Sequence, residues 1–141
     1  MSTAQDELAA WRKAHDRPPE EGDRARIFWV ALGPLKLPVP HPGKLNWHDL
    51  HHLVLGYEPD LIGEMEISAF ELRTGVNSLM VLLLCLAGVA LGLIVAPRRT
   101  LRAWQDAKGR RNLYGLPWDE LKAWSMNELR NYVSASATPG S

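Results

Sequence analysis

Hydrophobic and polar positions fall in blocks along the chain, and each block predicts a different kind of element. Residues 1–26 are polar apart from Ala4–Ala14, a predicted helix with Leu8 and Trp11 on one side that Pro18-Pro19 stops. So polar a segment reads as a loosely attached arm. No cationic start is followed by an apolar core and a small-residue cleavage site, so the arm does not read as a secretory signal. Residues 27–45 are apolar but broken by Gly33, Pro34, Pro38, Pro40, Pro42 and Gly43. That proline density forbids a continuous helix and favours an extended or looped connection.

From Asn46 the pattern becomes helical. Asn46 is suited to cap a helix through Leu55, with Asp49 near its positive end. Gly56 ends that helix, Glu58-Pro59 turns the chain, and Asp60 caps a second helix over Leu61–Thr74 that Gly75 closes. Leu79–Ala96 is a run of 18 apolar residues ending at Pro97. As a helix it extends about 27 Å, against a hydrocarbon core of about 30 Å. Spanning a bilayer, dipping into one, or lying buried in the domain are all open to such a segment. A basic helix follows from Arg98 to Lys108, then Gly109, then a helix opening at Pro117 and running through Ala123. Ser125 and Glu128 have capping-box spacing for a last helix to Val133. Residues 134–141 read as a disordered tail. The fold class these blocks predict is all-α, a helical bundle (46–133) with a central apolar helix and an extended Pro-rich N-terminal segment.

Composition narrows the function classes. The 141 residues suffice for one domain of ordinary size. Sixteen Lys and Arg balance sixteen Asp and Glu, which removes the cationic field of a general nucleic-acid binder. The charge is nonetheless dipolar: residues 1–75 hold 8 basic and 12 acidic side chains, residues 76–141 hold 8 and 4. The single cysteine, Cys85, excludes an intrachain disulfide and a thiolate cluster, and its place in the apolar run reads as a small buried hydrophobe. No Gly-rich phosphate loop and no G-x-S-x-G elbow is present.

The candidate chemistry lies at residues 48–64. On a helix, His48, Asp49 and His52 share one face, while His51 points away from Asp49. On the next helix Glu64, Ser68 and Glu71 share a face and Glu66 points elsewhere. The tight turn makes the two helices antiparallel, so Glu64 comes level with the histidines. Two nitrogens and two carboxylates suit zinc, ferrous iron or manganese better than a thiolate-preferring ion. A bare H-D-x-x-H also arises as a solvated helix face; the glutamate across the hairpin is what favours an ion.

The stretch from Asn46 to Glu64, H-D-x-x-H followed by eleven residues and Glu, resembles the signature of the coenzyme Q (ubiquinone) biosynthesis protein four family. Leu55-Gly56-Tyr57, Ala69-Phe70-Glu71-Leu72, Ala96-Pro97-Arg98-Arg99 and Trp118-Asp119-Glu120-Leu121 are similar to their surroundings in that family, so the likeness covers residues 45–133. It implies an all-helical, membrane-associated protein of quinone biosynthesis, with His48, Asp49, His52 and Glu64 as metal ligands. The implied activity is oxidative decarboxylation of a polyprenylated hydroxybenzoate, in which a hydroxyl replaces the ring carboxylate. The family is also regarded as an organiser of other quinone-synthesis enzymes. The chain departs from the family pattern in its short, polar N-terminal side, where members usually carry further helices.

Such a substrate needs a cation near its carboxylate and an apolar groove for its tail. Gly88 and Gly92 form a G-x-x-x-G pair in the apolar run, which lets a helix or an acyl chain approach closely. Arg98, Arg99 and Arg102 suit a phosphate or lipid headgroup, or simply form a solvated or membrane-surface face. The partners expected are an isoprenoid lipid or quinone precursor, a membrane surface contacted peripherally from the cytoplasmic side, and a second copy or other quinone-biosynthesis enzymes. A single membrane span and a non-catalytic prenyl-lipid-binding scaffold are the alternatives.

Overall fold

A computed structural model describes residues 1–17, 27–32, 34–40 and 45–135. The expected stop at Pro18-Pro19, the rest of the polar arm to residue 26, Gly33, residues 41–44 and tail residues 136–141 lie outside the described residues. The described chain is mostly helical: α1 (Ala4–Ala14), α2 (Leu45–Leu55), α3 (Leu61–Thr74), α4 (Leu79–Val95), α5 (Pro97–Asp106), α6 (Trp118–Leu121) and α7 (Met126–Ser134). Strands β1 (Ile27–Leu32) and β2 (Leu35–Pro40) pair antiparallel between α1 and α2, in a register from Ile27 with Pro40 to Leu32 with Leu35.

That hairpin stands where the prolines predict only an extended or looped connection. Proline excludes helix but not extended backbone. In a two-stranded ribbon each strand has a free edge, which accepts residues lacking an N–H.

Helix ends follow their capping residues. Asp60 accepts from the Gly63 N–H at 2.7 Å, and Ser125 and Glu128 close a reciprocal capping box on α7. Gly56, Gly75 and Gly109 take left-handed φ angles of +75°, +102° and +74° where three helices end. α6 is shorter than the predicted run to Ala123, and Pro117 sits just before it rather than within its first turn.

The core corrects the reading of the N-terminal arm. Ala4 and Leu8 of α1 are buried with Leu50, Phe70, Ala107, Leu113, Leu121, Leu129 and Val133. Thr3 and Asp6 cap α1, and the Ala4 N–H donates to the Trp124 carbonyl at 2.6 Å. α1 is therefore an integral wall of the domain. Its small buried stripe, one residue per turn at positions 4, 8 and 12, is too sparse to stand out against its charges.

α4 is corrected as well. It is peripheral, not central: Val81, Cys85 and Gly92 are buried, while Leu79 is 72 % and Ile94 81 % exposed. Uniform apolarity carries no mark of which side meets the domain. Gly88 and Gly92 supply that mark. A Cβ at Gly88 would collide with the Ser68 side chain, and one at Gly92 with Thr100 and Met65. The glycines thus let α4 close on α3 and α5. α4 has 17 residues, and among the described residues no helix is long and apolar enough to cross a membrane.

Leu8→Ala tests the attachment of α1. Removal of this buried side chain should lower unfolding free energy by about 2–5 kcal/mol in urea denaturation. A dangling arm would give a change near zero.

Candidate metal centre

α2 and α3 lie antiparallel across the Gly56–Asp60 turn, and this brings three histidines of one helix against two glutamates of the other. His48, His51 and His52 face Glu64 and Glu71, which are seven residues apart and so share a side of α3. Each imidazole has different partners, and the partners fix where its protons sit.

His51 is fully buried. Its Nε2 accepts from the Leu113 backbone N–H at 2.9 Å, so the ring proton is on Nδ1, which donates to Glu71 Oε1 at 2.8 Å. Burial pulls this imidazole below its ordinary value against the opposing pull of Glu71. His51 is a neutral structural link between α2, α3 and the segment before α6.

His52 is also buried, and its Nδ1 donates to the Tyr57 carbonyl at 2.9 Å. A carbonyl only accepts, so Nδ1 carries a proton. The Nε2 is buried without an aligned hydrogen-bond partner, and Glu64 Oε1 lies 3.2 Å away. Either a second ring proton or a bound cation would satisfy this contact, and a cation there would be held by both groups.

His48 sits between both glutamates, with Nδ1 3.0 Å from Glu71 Oε1 and Nε2 2.9 Å from Glu64 Oε2. With no ion present both nitrogens must donate, which makes the ring an imidazolium. Burial pulls His48 down, but the charges of Glu71 and Glu64 overcome it and hold the group well above its ordinary value. Burial likewise pushes Glu64 up, and His48 first and then His52 outweigh it, so this carboxyl is held well below the usual range.

Glu71 anchors the cluster. It is 1 % exposed, and Oε1 accepts from both His48 and His51. Burial alone would raise its carboxyl, but the neighbouring His48 and His51 keep it strongly lowered. Cys85 Sγ donates to Glu71 Oε2 at 3.6 Å, and burial together with that carboxylate pushes the thiol far up. Cys85 is thus a protonated donor, neither nucleophile nor thiolate ligand. Burial and then the Glu71 charge also raise Tyr114 well above its ordinary value.

His48, His52 and Glu64 each offer a ligand atom within 4.8 Å of the others. Nitrogen and oxygen ligands bond a first-row divalent ion at about 2.0–2.2 Å, which sets adjacent ligand atoms about 3 Å apart. The two N···O separations, 2.9 and 3.2 Å, run to different oxygens of Glu64, so the carboxylate faces both rings and a modest contraction of the set would bring three donors to that spacing. Glu71 and the Tyr57 carbonyl hold the outer nitrogens of the two ligand rings, as partners of metal-bound imidazoles do. The donor set fits an ion, and two imidazoles with one carboxylate leave positions open for water or substrate.

Asp49 is not in this group. Its Oδ2 pairs with Arg12 at 2.9 Å and its Oδ1 with Arg17 at 2.8 Å, so both oxygens are taken by guanidinium groups. One residue beyond His48, it faces α1, whose buried Arg12 needs a counter-charge.

The expected lipid and anion set is not gathered into a site. Gly88 and Gly92 are filled by helix packing, Arg99 pairs with Glu66 at 2.6 Å, and Arg98 and Arg102 stand exposed on α5.

Sequence reasoning missed Arg12, Arg17, His51 and the Tyr57 carbonyl, and it gave Glu71 no role. Glu71 was accessible from its place on the Glu64 face. The arginines carry no signal, because α1 is distant in sequence. Compared with known protein families and with curated proteins, the chain matches none.

The His48 charge has a pH signature. Its folded value is raised, so its stabilisation is fully present below the ordinary imidazole value of 6.5 and disappears as pH rises through the raised one. In chelator-treated protein, the stability difference between wild type and His48→Gln should be constant from pH 5 to about 6.5 and shrink at alkaline pH. Thermal unfolding across that range measures it; a difference that grows with pH contradicts the assignment.

Proposed function

We propose that this protein is a metal-dependent enzyme of quinone biosynthesis, a member of the coenzyme Q biosynthesis protein four family, acting on a polyprenylated hydroxybenzoate. One observation carries the metal assignment: the buried Nε2 of His52, which meets no aligned hydrogen-bond partner, lies opposite the Glu64 carboxylate. The H-D-x-x-H and eleven-residue spacing to Glu carries the assignment to quinone chemistry.

His48, His52 and Glu64 would hold zinc, ferrous iron or manganese, with Asp49 outside the ligand set. Such an ion supplies a Lewis acid with open coordination positions. Replacing a ring carboxylate by hydroxyl releases carbon dioxide and removes two electrons from the ring, so an oxidant such as dioxygen takes part. The chain's own residues orient the ligand rings through Glu71 and Tyr57, and Trp11 stacks on His52 at 5.8 Å, shielding that ring.

A second reading is a non-catalytic prenyl-lipid-binding or scaffold protein held peripherally at a membrane, alone, as a homodimer or with other quinone-biosynthesis enzymes. The exposed side of α4, where Leu79, Leu83, Leu86, Leu93 and Ile94 are uncovered, favours it.

Elemental analysis and a decarboxylation assay separate the readings. Wild-type protein should carry about one divalent ion per chain, and removal of a ligand in His52→Ala or Glu64→Ala should abolish both ion and turnover. Asp49→Asn should keep the ion. Lipid binding without turnover, unchanged in the ligand variants, would establish the scaffold instead; metal content unaffected by either variant would remove the proposed centre.

A further inference from the structure

The C-terminal end of α1 reaches the metal centre, although the sequence there reads as an unattached arm. Asp16 adopts a left-handed φ of +51°, a conformation that asparagine and aspartate tolerate better than most residues. The Arg17 N–H then donates back to the Arg12 carbonyl at 2.8 Å. This closure aims the Arg17 side chain inward. Its Nη1 lies 2.8 Å from Asp49 Oδ1, its Nη2 lies 3.3 Å from Glu64 Oε1, and its guanidinium lies 5.5 Å from the Trp11 ring centre.

The two arginines on Asp49 are not equivalent. Arg12 is buried and already gives Asp49 a counter-charge, with Asn46 Oδ1 accepting from its Nη2 at 2.8 Å. Arg17 is a second, partly exposed cation, and it alone of the two also holds Glu64, a ligand. A guanidinium keeps its charge at any working pH. A divalent ion on Glu64 would therefore lie beside a permanent positive charge in a partly buried site, where such repulsion is only weakly screened.

We infer that Arg17 is a built-in competitor for the metal centre: it occupies a ligand carboxylate, weakens ion binding, and yields Glu64 as an ion loads. The inference rests on the metal reading above and adds a coupling between ion loading and the hold on the end of α1. Arg17 is a positioning residue, with no role assigned to it in the chemistry.

Cobalt(II) is the probe, added to the chelator-treated full chain and followed by its visible absorption. Arg17→Gln should bind Co(II) about tenfold more tightly than wild type, and Arg17→Lys, which keeps the charge, should stay within about threefold of it. Equal or weaker binding by Arg17→Gln overturns the inference and makes Arg17 a support for Glu64 instead. A wild-type chain that takes up no Co(II) fails earlier, at the metal centre itself, and is thereby distinguished.

Discussion

The site depends on the placement of protons on three adjacent imidazoles. The Tyr57 carbonyl holds a proton on His52 Nδ1, and the Leu113 amide keeps one off His51 Nε2. Neither partner can exchange its role, because a carbonyl has no proton to give and an amide no lone pair to offer. His52 is left with one nitrogen facing a carboxylate, whereas His51 is left with none to spare. Two residues adjacent in sequence thereby acquire opposite functions, one available to an ion and one closed to it.

Charge placement follows from the same hairpin. Glu71 is buried among donors and Glu64 is one-third exposed, although both lie on one side of α3. Glu71 orients rings; Glu64, the more exposed of the two, takes His48 and Arg17 on its two oxygens and is the one placed to serve as a ligand. Asp49, beside them, is committed to Arg12. Removing one partner of a buried ion pair strands the other charge at a cost of about 3–5 kcal/mol. That pairing fastens α1 to α2, and so draws the N-terminal helix into both the core and the rim of the site.

The bounds of α3, α4 and α7 and the end of α2 were legible because local chemistry sets them: Asp60 and Ser125 as caps, glycines at the ends, Pro97 after the apolar run. α2 instead begins at Leu45, so Asn46, expected as its cap, lies within it and its side-chain oxygen accepts from Arg12. The convergence of His48, His52 and Glu64 was legible too, since helix periodicity and a five-residue turn determine it. What escaped were interactions between segments far apart in sequence. Asp49 looks like a ligand until Arg12, thirty-seven positions earlier, is seen to hold it. His51 looks spare until the Leu113 amide arrives from sixty-two positions later. The exposed side of α4 escaped for another reason: a segment apolar all round offers no contrast, and only Gly88 and Gly92 mark the packed side.

The account stands or falls on the proton map of His52. Long-range proton–nitrogen correlation spectroscopy of chelator-treated, 15N-labelled protein at neutral pH reads each ring's tautomer directly. A metal centre on His52 requires Nδ1–H with an unprotonated Nε2 on that ring, while the partners of the other two require the same tautomer on His51 and both nitrogens protonated on His48. A spectrum with a proton on His52 Nε2, whether alone or together with Nδ1–H, would satisfy Glu64 with an ordinary hydrogen bond and contradict the metal centre.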